Sequence, residues 1–334
     1  MKQNMTEWKN SILKTTERQA IPILTHTGIE LNGKHAKDAV TDGLVHYEAV
    51  LTLSKKYPAA ASTTIMDLTV EAEAFGADIV FPEDEVPSVT GRLVDSKESI
   101  EHLEIPSLES GRIQQYLLAG ELAAKNIDVP VFAGCIGPFS LAGRLYGMSD
   151  IMMAMYIDPE ATRLLLEKCT TFITNYCLEF KKRGTGGILI AEPAAGLLSN
   201  DACKEFSSVY LKQLVDKVQD DEFMVIIHNC GNTGHCTEAM LYCGAAGYHF
   251  GNRINMEETL AYCPDDVLVM GNLDPVSIFK MSTPEHVYSE TTELLERTRV
   301  YPNFILSSGC DIPPRVSLDN LDSFYGALMD YNNS

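Results

Sequence analysis

Short apolar runs alternate with stretches of helical periodicity along most of this chain. Eight runs of five to eight residues have the length and composition of strands, although the second of them is weakly apolar. They cover residues 21–26, 77–81, 130–137, 187–192, 224–228, 247–251, 267–272 and 304–308. Because these runs are continuously apolar instead of alternating, they are typical of parallel strands covered by helices on both faces.

The stretches between these runs predict helices. The clearest covers 159–183, where Pro159 stands at the first helical position and an apolar stripe follows; 197–218 and 284–300 are similar. Strands in alternation with helices predict the α/β class, and eight such units predict a (β/α)8 TIM barrel that forms a single domain over residues 1–334. A doubly wound sheet is the alternative, because the strand order is not written in the sequence.

Residues 83–109 are predicted to form an acidic, partly irregular excursion. The acidic residues of 70–78 are predicted to form a solvated helix face.

Polar and metal-binding residue types recur at the predicted carboxyl ends of the strands. A barrel carries its active site at this end, so the pattern favours an enzyme. The residues at these ends include Thr25, His26, Cys135, Glu192, His228, Cys230, His249, Asn252, Asn272, Asp274, Ser307, Ser308 and Cys310.

The sharpest local feature is the sequence Val-Ile-Ile-His-Asn-Cys-Gly at 225–231. The period of a strand points the side chains of His228 and Cys230 to the same face. Imidazole and thiolate are common zinc ligands, and Cys310, at the end of the last strand, is the best candidate for a third. Three protein ligands leave one tetrahedral position open, which indicates a catalytic rather than a structural zinc site. Zinc stabilises a bound thiolate at neutral pH, so such a site suits alkyl transfer to sulfur.

Four further residues are candidates for the site. Glu192 ends an apolar strand, and we predict a catalytic role as a displaceable fourth ligand, a proton acceptor or a hydrogen-bond partner of His228. His249, Asn252 and Asn272 are predicted to contact a cofactor or substrate. A structural histidine with satisfied hydrogen bonds is an equal alternative for His249.

Composition narrows the range of partners and compartments. The formal net charge is −20, so the surface disfavours nucleic acid and anionic membranes, although a local basic pocket is compatible with it. The amino terminus is polar, and no apolar run reaches the ~18 residues of a membrane helix. The nine cysteines are irregularly spaced, which predicts reduced thiols instead of a disulfide framework. These features together predict a cytoplasmic protein.

Several segments together resemble the uroporphyrinogen decarboxylase superfamily. They lie at 67–87, 134–145, 228–232 (HNCGN), 270–275 (MGNLDP) and 308–321 (SGCDIPPRVSLDNL), so the resemblance covers nearly the whole chain. It implies a (β/α)8 barrel. The decarboxylases carry an arginine-rich motif near the amino terminus, whereas this chain has only Arg18 there. The zinc methyltransferases of the superfamily, such as the methylcobamide:coenzyme M enzymes, carry a His-x-Cys pair and a distant Cys, which His228, Cys230 and Cys310 match.

The resemblance implies transfer of a methyl group from a methylcobamide to a zinc-bound small thiol such as coenzyme M. The corrinoid would arrive on a separate corrinoid protein. An acceptor with a sulfonate would need a cation, for which Arg144, Arg253 and Arg315 are candidates. Two alternatives remain: a decarboxylase-like lyase without metal, and a zinc-stabilised, non-enzymatic partner of a corrinoid protein.

Overall fold

Seven parallel strands form one curled sheet, in the order 62–63, 131–136, 187–191, 224–229, 247–250, 268–273 and 304–308. The computed structural model describes residues 3–334. Its strands are β1 (Ser62–Thr63), β2 (Asp78–Val80), β3 (Ser88–Thr90), β4 (Val131–Ile136), β5 (Gly187–Ala191), β6 (Met224–Asn229), β7 (Gly247–Phe250), β8 (Leu268–Leu273) and β9 (Phe304–Ser308). Every residue of the six strands from β4 to β9 is buried, as their continuous apolar pattern predicts.

Helices connect the strands and cover the outside of the sheet. They are α1 (Met5–Lys14), α2 (Thr25–Leu31), α3 (Ala36–Thr41), α4 (Gly43–Lys56), α5 (Val70–Phe75), α6 (Lys97–His102), α7 (Ile113–Asn126), α8 (Pro138–Tyr146), α9 (Met148–Ile157), α10 (Pro159–Arg183), α11 (Asn200–Cys203), α12 (Val209–Val218), α13 (Thr237–Leu241), α14 (Met256–Tyr262), α15 (Pro284–Arg297) and α16 (Leu318–Asn333). A 3-10 turn covers Pro193–Leu197, and π-helical turns cover Lys204–Ser208 and Pro275–Lys280. In residues 3–334, no helix is both long and apolar enough to cross a membrane.

The strand predicted at 21–26 is wrong, because the backbone there forms only a short link between the two edges of the sheet. Ala20 makes an isolated parallel bridge with Leu306 of β9, and on the other side it accepts a hydrogen bond from the amide of Ala60 at 3.0 Å. Pro22 has no N–H group with which to extend the ladder, and α2 begins at Thr25. The structure therefore shows seven parallel strands closed by this link, and not eight complete β/α units.

The strand predicted at 77–81 is also misplaced. Asp78–Val80 pairs antiparallel with Ser88–Thr90 in a separate hairpin, so it does not belong to the parallel sheet. The sheet strand that follows α4 is instead Ser62–Thr63, which pairs with β4. Its two residues are polar, and so it gave no apolar run. The segment 83–109 contains β3 and the short helix α6 within an otherwise irregular path.

The helix predictions are confirmed at one position and corrected at two. The longest helix covers Pro159–Arg183 as predicted, with Asp158 as its cap and Gly184 in the left-handed conformation after it. The helix predicted at 197–218 is instead a 3-10 turn, a short α-helix, a π-helical turn and α12 in succession. The helix predicted at 284–300 ends at Arg297.

The interior of the curled sheet is filled by large apolar side chains below the carboxyl end of the strands. These include Phe132, Leu189, Met224, Ile226, Leu268, Met270 and Ile305. Helix α1 packs against the amino end of this column through Trp8, whose ring centroid lies 5.8 Å from that of Phe132. Because side chains alternate along β6, the residue above Met224 and Ile226 on the same face is His228. The packed interior therefore leads directly to the predicted ligand.

Candidate metal centre

Three soft or borderline ligands converge at the carboxyl end of the sheet. His228 is the last but one residue of β6, Cys230 follows that strand, and Cys310 lies two residues after β9. One ligand atom from each residue lies within 4.8 Å of the other two. His228 is buried and the two cysteines are half-buried. Within residues 3–334, this is the one group of three or more His, Cys, Asp or Glu side chains found close enough to hold a metal ion.

A chain of hydrogen bonds fixes the imidazole of His228. Ser307 donates its hydroxyl hydrogen to the carbonyl of Ile21 at 2.7 Å, so its oxygen accepts from Nε2 of His249 at 2.8 Å. Burial lowers the pKa of His249 well below its usual range, so its ring is neutral and its Nδ1 is an acceptor. Nδ1 of His228 therefore donates to Nδ1 of His249 across 2.8 Å. The lone pair of His228 is left on Nε2, which lies 3.6 Å from Sγ of Cys310.

The register of the sheet explains why these two histidines meet. His228 of β6 and His249 of β7 are partners in the parallel ladder, so their side chains leave the sheet on the same side. Their ring centroids are 4.7 Å apart. Of the two alternatives for His249, these contacts support the structural one: it orients the ring of His228 from behind. A ligating histidine commonly has such a partner on its second nitrogen.

The donor set fits zinc. The contact between the two thiols lowers the pKa of Cys230 to about 7 and raises that of Cys310. Two cysteines and one imidazole nitrogen with a free lone pair are ligands that zinc prefers, and three protein ligands leave one position for a substrate. His228, Cys230 and Cys310 would hold the metal. They are the same residues that the sequence indicated as ligands.

Glycines at two close approaches let the ligand loops pack together. A Cβ atom on Gly251 would lie 2.8 Å from Cα of Cys230, and one on Gly309 would lie 2.5 Å from the amide nitrogen of Asn252. Real Cβ atoms essentially never approach so closely. Glycine at these two positions therefore keeps the loops after β6, β7 and β9 in contact. The sequence shows these glycines, but their partners are known only from the fold.

Glu192 lies beside the ligands but does not join them. Its carboxylate accepts hydrogen bonds from the backbone amides of Phe139 at 3.0 Å and Ser140 at 2.6 Å, in the first turn of α8. Its own amide donates to the carbonyl of His228 at 2.8 Å. Burial raises the pKa of Glu192 to about 7. The catalytic role stays a prediction, and these contacts favour a positioning role for Glu192. The hydrogen-bond partner of the His228 ring is His249.

The two asparagines hold neighbouring loops at the same end of the sheet. Asn272 donates from its amide to the carbonyls of Gly251 at 3.1 Å and Ile254 at 2.8 Å, and so fixes the loop after β7. Asn252 is exposed and donates to a carboxylate oxygen of Asp274 at 2.6 Å. The cofactor contacts expected of Asn252 and Asn272 stay predictions.

A second polar cluster at this end was not recognised in the sequence. Arg112 lies next to the carboxylates of Asp67 and Glu73, with a nitrogen–oxygen distance of 2.6 Å in each pair. The solvated acidic face predicted for 70–78 is therefore wrong: Glu73 is paired, and Glu71 is almost completely buried. No local motif marks Arg112, because its partners come from other elements.

The structure is thus an α/β protein with three side chains at the carboxyl edge of its parallel sheet that could hold a metal ion. The sequence profile of the family described as uroporphyrinogen decarboxylase (URO-D) matches residues 14–331. The chain belongs to the uroporphyrinogen decarboxylase family.

Relatives within this family have two kinds of names. The chain is 28% identical over 271 residues to a methylcobamide:CoM methyltransferase, MtbA, of Methanosarcina acetivorans, covering 79% of this chain and 78% of the relative. It is 25% identical over 294 residues to a uroporphyrinogen decarboxylase of Alcanivorax borkumensis, covering 85% and 82%.

A solved structure confirms the fold. A methyltransferase from Methanosarcina mazei superposes with a TM-score of 0.88 over 98% of this chain and 99% of that one, at 22% identity. The activity has to be argued from the site.

Proposed function

We propose that this protein is a zinc-dependent methyltransferase that moves a methyl group from a methylated corrinoid to a small thiol acceptor such as coenzyme M. The observation that carries the proposal is the group formed by His228, Cys230 and Cys310, with the imidazole turned so that its lone pair faces the thiols. The relatives named methylcobamide:CoM methyltransferase and methylated-thiol–coenzyme M methyltransferase support the reaction class.

The residues of the chain prepare the site in three ways. His228, Cys230 and Cys310 bind zinc, which when bound stabilises the thiolate of an acceptor at neutral pH. His249 and Ser307 hold the imidazole in one tautomer, so no reorientation is needed on binding. The apolar column below the ligands excludes water from one side of the site.

Glu192 has a positioning role in this proposal. Its carboxylate accepts from the two amides that begin α8, and its backbone pairs with His228. It therefore ties the first turn of α8 to the strand that carries the ligands. A neutralising change such as Glu192→Gln is expected to displace α8 and to weaken acceptor binding more than zinc binding.

The remaining parts of the proposal concern the partner and the setting. The corrinoid is delivered by a separate corrinoid protein at the open end of the sheet. The link at 19–21 takes the place of a further strand, so that the chain forms one (β/α)8-like domain. All nine cysteines are free thiols, and a site built on two of them requires reducing conditions, which favours the cytoplasm.

The decarboxylase alternative is supported by the relatives with that name but not by the position of Arg18. Its guanidinium donates to the backbone carbonyls of Thr298, Arg299 and Tyr301, near the amino end of β9. It is therefore occupied far along the strand from the ligand end, and does not face a substrate there. A substrate with several carboxylates would need a set of free cations at the site.

The test is zinc content and methyl transfer in the same preparations. Anaerobically purified protein is expected to hold about one zinc per chain, by the ligand count, and to methylate 2-mercaptoethanesulfonate from methylcobalamin. Cys230→Ser and Cys310→Ser should lose both, whereas the matched control Cys263→Ser, at a buried cysteine outside the site, should keep both. Retention of zinc and of the parent rate in Cys310→Ser would contradict the proposal. Zinc without transfer to any thiol would favour the non-enzymatic alternative.

A further inference from the structure

A cavity of about 430 Å³ opens beside the carboxyl ends of β4 and β5. Its wall is largely apolar and includes Ile136, Met148 and Leu197. The charged residue that lines it is Arg144, on the last turn of α8. The lining also includes residues of the 3-10 turn at Pro193–Leu197, and this turn packs against Gly231 in the loop that carries Cys230. The cavity is therefore a neighbour of the metal centre at the same end of the sheet.

Arg144 has an unusual status among the arginines of this chain. It is half-buried, yet within residues 3–334 it forms neither a hydrogen bond nor an ion pair. Burying a guanidinium without a partner is unfavourable, so an unpaired one in a cavity indicates a ligand group that completes it. The apolar wall beside it would cover a hydrocarbon stem.

The nearest carboxyl groups do not neutralise this charge. Asp67 is held by Arg112 and accepts a hydrogen bond from Tyr116 at 3.1 Å. Glu71 lies behind the cavity wall and accepts from the amide of Ile136, and burial raises its pKa to about 8. Burial therefore favours the neutral form of this carboxyl group. Burial also lowers the pKa of Arg144, with Asp67 and Glu71 acting in the opposite direction.

The other two arginines considered as anion anchors do not share these features. Arg315 is 76% exposed and pairs with Asp84 at 3.1 Å. Arg253 is exposed on the loop after β7 and does not line the cavity. Only Arg144 among the three combines burial, lack of a partner and a cavity large enough for a small molecule.

We propose that Arg144 anchors an anionic group, a sulfonate or a carboxylate at the end of a short aliphatic stem, that belongs to the thiol acceptor. This inference rests on the proposed function, since it names the chemical class of the acceptor. A guanidinium presents a fork of donors that matches two oxygens of such a group at once. Arg144 then selects acceptors by their acid group.

The test measures binding of thioethers, which have no thiol to place on a metal. The probes are 2-(methylthio)ethanesulfonate, 3-(methylthio)propionate and the neutral 2-(methylthio)ethanol, titrated by ligand-observed NMR. Against the parent protein, at least one anionic probe should bind more tightly than the neutral one, and the stronger anion identifies the acid. Arg144→Gln should weaken the anionic probe about tenfold or more, as expected for a hydrogen bond to a charged group, and leave the neutral probe unchanged.

Two variants and one kinetic readout sharpen the result. Arg253→Gln removes the same charge from the exposed loop and should bind all probes as the parent does. Arg144→Lys keeps the charge without the fork and should fall between the parent and Arg144→Gln. In methyl transfer, Arg144→Gln should raise KM for an anionic thiol about tenfold, with a smaller change in kcat and none for 2-mercaptoethanol.

Three outcomes would overturn the inference: no binding of either anion to the parent, equal binding of anions to Arg144→Gln, or an equal loss of anionic and neutral probes. Selective anion binding that depends on Arg144, in a protein that transfers no methyl group to any thiol, would instead contradict only the proposed function. Methyl transfer with equal KM for charged and neutral thiols would retain the function and reject the anchor.

Discussion

Two polar clusters at the carboxyl end of the sheet differ in how completely their groups are satisfied. In the arginine cluster (Asp67, Thr69, Glu73, Arg112 and Tyr116), every nitrogen of the guanidinium has an acceptor within 2.9 Å. The aspartate in turn accepts from the amide of Thr69 and from the hydroxyl of Tyr116. The charge of Arg112 is therefore paired within the fold.

The metal cluster (His228, Cys230 and Cys310) shows the opposite arrangement. Its imidazole is held from behind by His249, and the second ring nitrogen lies 3.6 Å from Sγ of Cys310. The two cysteines are half-buried, so the group remains accessible from the open end. Buried polar groups that satisfy one another hold the fold, whereas convergent donors left without partners mark the place where a ligand completes the structure.

The largest effect is expected from opening the arginine cluster. Arg112→Gln leaves the carboxylate of Asp67 buried without its cation, which should lower the free energy of unfolding by about 3–5 kcal/mol. Urea unfolding followed by circular dichroism measures this change. The matched control is Arg163→Gln, whose pair with Glu205 is exposed and should contribute less than about 1 kcal/mol. Similar losses in both variants would show that the buried cluster contributes no more to stability than an exposed ion pair.

A smaller, pH-dependent effect is expected from Glu71. Burial raises its pKa in the folded protein to about 8, above the ordinary value of 4.5 for a glutamate. Below pH 4.5 the carboxyl group is protonated in both the folded and the unfolded protein, and its contribution to the free energy of unfolding is fully present. This contribution is lost as the pH rises towards 8, because the group ionises more easily in the unfolded protein. The glutamine of Glu71→Gln does not titrate. The free energy of unfolding of this variant, relative to that of the parent, should therefore rise by a few kcal/mol between about pH 5 and pH 8. The exposed control Glu98→Gln should follow the parent at every pH. A constant difference between Glu71→Gln and the parent across this range would contradict the neutral carboxyl group.

The next effect tests whether the support behind the metal cluster matters. His249→Gln removes the acceptor of the His228 ring and should weaken zinc binding about 10–100-fold, or about 1.4–2.7 kcal/mol. Competition with a chromophoric chelator gives the affinity. His102→Gln changes an exposed histidine on α6 and serves as the control. If the zinc affinity is unchanged in His249→Gln, the hydrogen bond behind the His228 ring does not contribute to metal binding. The two clusters would then differ only in how accessible they are to solvent.

Most of the sheet could be predicted from the sequence because β4 to β9 are buried on both faces and so are continuously apolar. Two of the three failures, the missed strand at 62–63 and the misplaced one at 77–81, have a common cause. Ser62–Thr63 is a sheet strand of two polar residues, while the more apolar 77–81 pairs in a hairpin at the surface. A short strand is defined by its neighbours more than by its own composition, and neighbours are a property of the tertiary fold.

The same reasoning separates what could and could not be predicted of the site. His228 and Cys230 are two residues apart at a strand end, so local geometry was enough to pair them. The contact between His228 and His249 depends on the register of β6 against β7, and the burial of Glu71 depends on how α5 packs. The unpaired state of Arg144 is likewise a property of the tertiary fold, because no other element of residues 3–334 supplies it with an acceptor.

The smallest effect concerns Arg315, which lies on the loop that carries Cys310 but belongs to neither cluster. Arg315 has φ 63°, in the left-handed region that favours glycine, and its guanidinium pairs with Asp84 in an exposed position. Arg315→Gly and Arg315→Ala both lose this pair, but only glycine relieves the backbone, so the glycine variant should be more stable by about 1 kcal/mol. Thermal unfolding of the two variants, with their zinc content, measures this difference. Equal stability would mean that the loop relaxes freely, and a loss of zinc in the glycine variant would mean that the position of Cys310 depends on this turn. Retention of zinc in both would confine the metal requirement to the three ligands and the histidine behind them.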